Sequence, residues 1–483
     1  METNEALKTA LRHEAEAELL KMIEQVEAVE PGDLKGLEQH ILASVFALGR
    51  RWMEQMVSSQ TGQERPVARR EGACGHHQRL VGQRPKELLT VLGKVRFLRP
   101  YYQCMLPEGA EKQPASCTHG EAPADQLWGV GERRTSPGVQ ELVSYLGASL
   151  TWEEVAQTFT RLLPLAMSAR QALALMQPVG ETLARQEDTQ VTTLFQQAAQ
   201  ARSNPQQEKK CEAERLTRLY IEMDGVLARM RRGSVAMEEK EQQRTGDVYR
   251  EVKVGAVFAA TGGPKRSQSV PGVFVDEAGP IRYVARRTSA ENFGPLLYAL
   301  AVTCGVQRAR QVVVLGDGAL WIWHLVAEHF PSAVQIVDLW HAREHIWKVA
   351  HAVFGRATPE GVVWATQACR LLEEGRSADV VTMIQALPSI APEPGSSRSV
   401  PEIEADYFIS NAERMRYPTY RAQGMHVGSG IAEAACKTVV STRAKRAGMR
   451  WTPAGLDALL PLRTAVLNQT FDTFWSRHSR LIA

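Results

Sequence analysis

Residues 311–341 read QVVVLGDGALWIWHLVAEHFPSAVQIVDLWH, and this stretch decides the fold class. Two short apolar runs, QVVVL and AVQIV, flank LWIWHLVAEHF, an amphipathic segment of helical length, so the pattern is strand, helix, strand. Working back along the chain, RLYIEMDGVLARM (218–230), REVKVGAVFAA (250–260) and PIRYVARR (280–287) are three more strand-like runs. A helix over SAENFGPLLYALAVTCG (289–305) follows them. Three consecutive strands and then alternating helix and strand predict a mixed α/β sheet. Working forward, residues 342–425 return to helical character, broken by the Pro/Ser/Gly loop 387–401. A last helix is predicted over GIAEAACKTVVSTRAKRAG (430–448).

The first half of the chain has a different grammar. Leu7, Leu11, Leu19, Leu20, Ile23 and Val26 recur at helical spacing, and residues 1–60 read as a helical segment. In PKELLTVLGKVRFLRPYYQ (85–103), Val95 and Phe97 alternate with Lys94, Arg96 and Leu98, which predicts two strands joined at Gly93–Lys94 within a small module over 62–130. Three helices are expected over 131–186, opened by Ser136-Pro137, capped by Thr151 in TWEEVAQTFTRLL, and capped by Ser168. Their lengths suit a helix-turn-helix module, and equally a plain helical packing domain. The Gln-rich stretch 187–213 reads as a linker or an extended helix, and 214–483 as the α/β region.

Composition excludes several classes. The 483 residues are 44% apolar, 23% charged and 7% aromatic, proportions of a globular chain rather than a disordered or collagen-like one. Net charge is only +3, but it is unevenly spread. Residues 1–50 hold ten acids and five bases, residues 62–104 nine bases and three acids, and residues 437–483 eight bases and two acids. Two basic blocks in a nearly neutral chain point to a polyanion at particular surfaces. The seven cysteines (74, 104, 117, 211, 304, 369, 436) are too scattered for a disulfide scaffold. With a charged first segment and no apolar run long enough to span a bilayer, a soluble, cytoplasmic protein is expected.

The acids carry the candidate chemistry. Asp224 ends the apolar part of its strand in IEMDG, and Asp317 ends another in VVVLGDGA. Each is followed by glycine, which lets a backbone or a phosphate approach closely, although Asp-Gly is also a common turn dipeptide. Glu433 falls in the first turn of the helix after Gly428-Ser429-Gly430, four residues before Lys437, the spacing of a surface ion pair as well. Three carboxylates from two strands and a helix suit a divalent hard cation with oxygen ligands, typically Mg²⁺. Two such ions about 3.5–4 Å apart clamp the attacking and leaving oxygens of a phosphodiester displacement.

In the placement of these acids, and above all in GSGIAEAACKTVVSTRAKRAGMRW (428–451), the chain resembles bacterial insertion-sequence transposases of the Kra type, relatives of the Mutator-like transposases. The likeness runs from about residue 70 to 475. It implies a DDE transposase on an RNase H-like mixed sheet, with Asp224, Asp317 and Glu433 as the catalytic, metal-binding acids for two Mg²⁺ or Mn²⁺ ions. The separation of 116 positions between Asp317 and Glu433 then makes 342–425 an inserted helical domain. Asp338-Leu339-Trp340-His341 is similar to the (C/D)-x-x-H signature of that group, with Asp338 and His341 expected to act from behind the acids, His341 orienting a phosphate or a carboxylate. His341 and His345, at i,i+4 spacing, lack the acid placement of a zincin.

The resemblance also implies DNA partners: terminal inverted repeats and a target duplex, handled by a homodimer or a larger synaptic assembly at the nucleoid. Lys437, Arg443, Lys445, Arg446 and Arg450, with no acid between Glu433 and Asp457, are expected against the DNA backbone. The helical and hairpin modules would be N-terminal DNA-binding parts, the hairpin zinc-ribbon-like. Relatives carry paired C-x-x-C knuckles there. This chain departs from that pattern, leaving Cys74, His77, Cys104 and either Cys117 or His119 as a possible Zn²⁺ set, or a hairpin held by its apolar pairs alone. A degraded or domesticated transposase that only binds DNA ends, and an RNase H-like nuclease, are the alternative functions.

Overall fold

The computed structural model describes residues 2–62, 67–72, 76–105, 120–131, 133–203, 216–234, 248–260, 265–266, 274–392 and 397–482. Cys74, Cys117 and His119 lie outside these residues. The chain forms two compact units, Met1–Pro178 with Thr470–Ala483, and Val179–Gln469. The last fourteen residues, expected in the α/β region, therefore belong to the first unit.

Unit one opens with α1 (Glu2–Glu27) and α2 (Leu34–Gly62), followed by the antiparallel strands β1 (Arg69–Glu71), β2 (His77–Thr90) and β3 (Gly93–Cys104). The hairpin is longer than the alternation over 85–103 suggested. Its turn is Val91-Leu92 rather than Gly93-Lys94, because Thr90 closes it. The Thr90 hydroxyl donates to Gly93 O (2.8 Å) and accepts from Leu92 N (3.2 Å), while Gly93 takes φ +104° as the first residue of β3. Leu88 sits opposite Val95, and both pack with Phe97, Val57 and Val130. Much of the basic charge here is already compensated: Lys86 is buried against Asp125 (3.2 Å), Arg99 bonds the same carboxylate (2.7 Å), and Arg70 bonds Glu121 (2.8 Å).

The three expected helices follow a short α3 (Pro123–Leu127). α4 (Pro137–Gly147) is capped by Ser136, and α5 (Trp152–Leu162) by a complete Thr151/Glu154 capping box. Val139, Val143, Val155, Phe159 and Ala172 join them to α6 in one core. The third helix is not short. α6 runs Ala169–Ser203, so part of the stretch read as linker or extended helix is helix. The boundary between units falls inside it.

Unit two is built on a five-stranded sheet. β4 (Leu216–Met230) is central, antiparallel to β5 (Val248–Ala259), which is antiparallel to β8 (Arg282–Arg286). On its other side β4 runs parallel to β9 (Ala309–Gly316), and β9 parallel to β10 (Val334–Val337); β6 (Lys265–Arg266) and β7 (Phe274–Val275) form a separate ribbon. The mixed sheet is therefore as expected. Val313, Val314 and Leu315 are all fully buried, as continuous apolar runs in parallel strands are. Helices α7 (Ala290–Thr303) and α8 (Leu320–His329) separate the later strands.

The helical stretch comprises α9 (Leu339–Phe354), α10 (Pro359–Glu373), α11 (Ser377–Gln385), α12 (Val400–Asn411) and α13 (Tyr417–Ala422). It has no separate core. Ala365, Leu372, Val380, Phe408 and Tyr417 join one apolar cluster with Ile221, Val314 and Ile336 of the sheet. Next comes α14 (Gly430–Ala435), continued by a π-helical turn (Cys436–Ser441) and Thr442–Ala444, and then α15 (Pro453–Leu467); α16 (Phe471–Ile482) returns to unit one. No helix among the described residues is long and apolar enough to cross a membrane.

Within unit two, α6 and α15 cross at Gly180, where a β-carbon would run into the carbonyl oxygen of Ala458. Gly180→Ala is expected to cost about 1–3 kcal/mol through overpacking, and Gly430→Ala, whose β-carbon meets nothing within 4 Å, much less. Thermal unfolding of the two variants checks this; equal melting temperatures would show that the helices do not cross there.

Candidate functional site

Register places the acids before any side chain is considered. The last parallel pair between β4 and β9 is Glu222 with Leu315, so Asp224 and Asp317 each lie two residues beyond it, on the same side of adjacent strands. Between β9 and β10 the last pair is Gly316 with Val337, and Asp338 N donates to Gly316 O (2.8 Å). Asp317 and Asp338 thus stand just past the carboxyl ends of β9 and β10, and Asp224 stands within β4 where its pairing with β9 stops. The three are on neighbouring parallel strands about 4.8 Å apart. Crevices at such strand ends are the usual binding positions in α/β sheets.

The three aspartates do different work. Asp224 is half-buried; its Oδ1 accepts from Gly225 N (2.6 Å), and Cys436 Sγ lies 3.7 Å from its Oδ2. Burial raises its carboxyl above the usual range, and the charge of Asp317 adds to this, against the opposing bonds of Gly225 and Cys436 and the nearby His341. Asp317 accepts from Ala319 N (2.9 Å), while its carbonyl accepts from the Tyr407 hydroxyl (2.8 Å). Gly318 follows at φ +99°, with the Tyr407 ring where a side chain would be, so this turn needs glycine twice over. Asp338 is different. It is buried and already engaged: Oδ1 accepts from Trp340 N (2.6 Å) and His341 N (3.2 Å) as the cap of α9, and Oδ2 accepts from Ser429 N (2.6 Å) and the Ser429 hydroxyl. Its oxygens are filled, so it fastens the chain rather than offering itself to a ligand.

Glu433 reaches this region on α14, which is held down by a residue the sequence reading passed over. Glu222, fully buried on β4, accepts from Ala432 N (2.8 Å) through Oε2; Oε1 is buried with no hydrogen-bond partner among the described residues. Burial pushes the Glu222 carboxyl up to about 8, with the charges of Asp338 and Glu433 adding and the backbone bonds from Ala432 and Ile431 opposing. Alternation on β4 put Glu222 on the face of Asp224, and that was the available signal. Glu433 itself is exposed. Cys436, one turn on, is the member of this helix that meets Asp224, and burial beside that acid drives its thiol pKa upward.

The structure therefore brings Asp224 and Asp317 together and sets the helix of Glu433 against them. Among the described residues, no three His, Cys, Asp or Glu side chains are grouped closely enough to hold a metal ion. A hard cation fits the donor chemistry of the pair, since two neighbouring carboxylates repel and a cation relieves the repulsion. His341 is partly exposed, with Nδ1 3.6 Å from Glu344 Oε2. Behind it, His345 stacks on Tyr407 (3.7 Å) and bonds the buried Glu404 (2.5 Å).

No family model matches the chain. No curated protein matches it either. The site must therefore be read from its own residues.

The basic run divides. Lys437, Lys445, Arg446 and Arg450 are exposed, whereas Arg443 is fully buried, its guanidinium 5.2 Å from the centre of the Trp451 ring and its Nη1 3.9 Å from Met449 Sδ. Arg443 is not a surface contact. The π-helical turn at Cys436–Ser441 alters the helical phase, so regular 3.6-residue spacing no longer says which side faces out. At the hairpin, His77 is exposed at the start of β2 and Cys104 is buried at the end of β3, its Sγ 3.5 Å from Gln78 Nε2.

The raised carboxyl of Glu222 gives a pH dependence. The folded state binds this proton more tightly than the unfolded chain, where the ordinary value is 4.5, so the associated stability is complete below about pH 4.5 and lost as pH rises through about 8. In metal-free buffer the melting temperature should fall between pH 5 and 9, and Glu222→Gln should flatten that slope. Parallel pH profiles of the two proteins would show that Glu222 ionises freely.

Proposed function

We propose that the chain is a DNA transposase of the DDE type, with unit two an RNase H-like catalytic unit containing a helical insertion. The observation that carries this reading is the shared register of Asp224 and Asp317 on adjacent parallel strands, two residues past the last pair between them, one of the strands central to the sheet. The resemblance at 428–451 supplies the third acid, Glu433. The reaction is cleavage of the phosphodiester at the ends of an inserted element, followed by attack of the freed 3′-hydroxyl on target DNA.

Asp224, Asp317 and Glu433 would hold Mg²⁺ or Mn²⁺, two ions in the full site. Bound there, the ions would polarise the phosphodiester and activate the attacking oxygen. The chain's own part is placement. Gly225 N and Ala319 N fix one oxygen of each aspartate, and Tyr407 holds the main chain of Asp317. Lys437, Lys445, Arg446 and Arg450 supply cations to the DNA backbone beside them. The partners are double-stranded DNA, in the cytoplasm at the nucleoid, and a second copy of the chain. Zn²⁺ at His77 and Cys104 would need Cys74 and either Cys117 or His119 as well.

One observation favours a second reading. The three acids do not form a three-ligand set, and Glu433 is exposed, as in a protein that has kept end recognition and lost strand transfer. Asp317→Asn separates the two. In the enzyme it is expected to reduce Mg²⁺-dependent cleavage by roughly a hundredfold to a thousandfold, the several kcal/mol a catalytic metal provides, while end binding persists. Cleavage at the wild-type rate would overturn the assignment of Asp317; end binding without cleavage by the wild type would favour the second reading.

A further inference from the structure

The N-terminal helical pair leaves much of its apolar surface outside. Polar groups meet where α1 and α2 face each other: Glu18 and Ser44 are buried, Arg51 bonds Glu18 (3.0 Å) and Glu14 (3.3 Å), and Ser44 donates to Gln25 (3.4 Å). Leu11, Met22, Val26, Leu37 and Leu48 are half-buried, and many other large apolar side chains are exposed. Leu34 is 65% exposed, Leu20 62%, Val45 57% and Leu42 52%, and Leu19 and Ile41 are exposed as well. Along α2 the spacing is that of a helix-packing seam, since Leu34, Ile41, Val45, Trp52 and Met56 recur at intervals of seven, four, seven and four. Trp52 lies at its edge against α1, where its Nε1 donates to Leu11 O (3.2 Å). With Leu19, Leu20 and Ile23 of α1, their exposed area is on the order of 800 Å² per copy, the share one partner contributes to a standard interface. Isolated exposed leucines are ordinary, whereas a run of this extent marks a surface that something covers.

We infer that α1 and α2 are a self-association surface, and that two copies of the chain pair through them as a four-helix bundle. Area and charge together favour this occupant. α1 carries seven acids and three bases, and α2 two acids and three bases, of which Arg51 is engaged by Glu14 and Glu18 of its own copy. A two-fold pair that lays α1 of each copy beside α2 of the other brings the acids of α1 to Lys35 twice. Glu16 and Glu24, exposed beside Leu19, Leu20 and Ile23, then approach the side of α2 that exposes Lys35. The acidic α1 makes an anionic membrane a poor alternative. The polar contact between α1 and α2 holds the pair in register, and the apolar faces supply the association.

The pairing requires neither DNA nor a metal ion, so it stands or falls apart from the chemistry proposed above. The full chain, without DNA and with EDTA, is measured by light scattering after size exclusion at roughly 10 μM. The expected mass is twice 53.6 kDa. Leu42→Glu with Val45→Glu should weaken association at least about thirtyfold, leaving single chains at that concentration with an unchanged helical circular dichroism spectrum. Lys35→Glu, a surface change that leaves the fold alone, should weaken it severalfold, and Glu24→Lys in the same chain should restore it in part. A wild-type chain of single mass overturns the inference, as does a double variant that keeps the doubled mass.

Discussion

The candidate site depends on two buried carboxylates that are not themselves offered to a ligand. Glu222 accepts the amide of Ala432, and Asp338 accepts the amide and hydroxyl of Ser429. Between them they tie the four residues before Glu433 to two strands of the sheet, β4 and the end of β10. Buried carboxylates are costly unless hydrogen-bonded, and each missing bond leaves a polar group in a dry interior. The segment 429–432 is therefore fixed by the cost of letting go, and α14 inherits its position from that constraint. Tyr407 acts similarly on the neighbouring strand, holding the carbonyl of Asp317 rather than its side chain.

Much of unit two was legible because it obeys simple periodicities. The runs at 218–230, 250–260 and 280–287 are strands, and those at 311–319 and 333–341 are strands only as far as Gly316 and Val337, with Leu339–His341 already helical. In unit one Ser136, Thr151 and Ser168 mark helix starts, since capping chemistry is local and leaves its signature within four residues. Asp224 and Asp317 could be paired from sequence because each ends an apolar run. Glu222 could not be singled out so readily. A glutamate inside a strand ordinarily lies on a solvated face, and only the packing of α14 above it turns that position into the interior.

Arg443 shows the converse. In sequence it belongs to an uninterrupted basic run, and regular helical geometry would spread that run over a surface. A π-helical turn leaves no mark in a single sequence, yet it shifts the phase of everything after it. The basic block at 62–104 was similarly overstated, because Glu121 and Asp125, outside the block, come back to pair with Arg70, Lys86 and Arg99. Local charge sums ignore partners delivered by tertiary structure.

The return of α16 to unit one bears on synthesis. Phe471, Phe474 and Trp475 are buried, and Phe471 lies against Tyr145 of α4 (5.6 Å). The side chains that complete the first unit are thus translated after all of the second. Unit two, encoded between, emerges whole while unit one waits on the ribosome with part of its apolar surface uncovered. Domains generally fold as units in order of synthesis; here the unit begun first cannot close until residues beyond the second unit have been made.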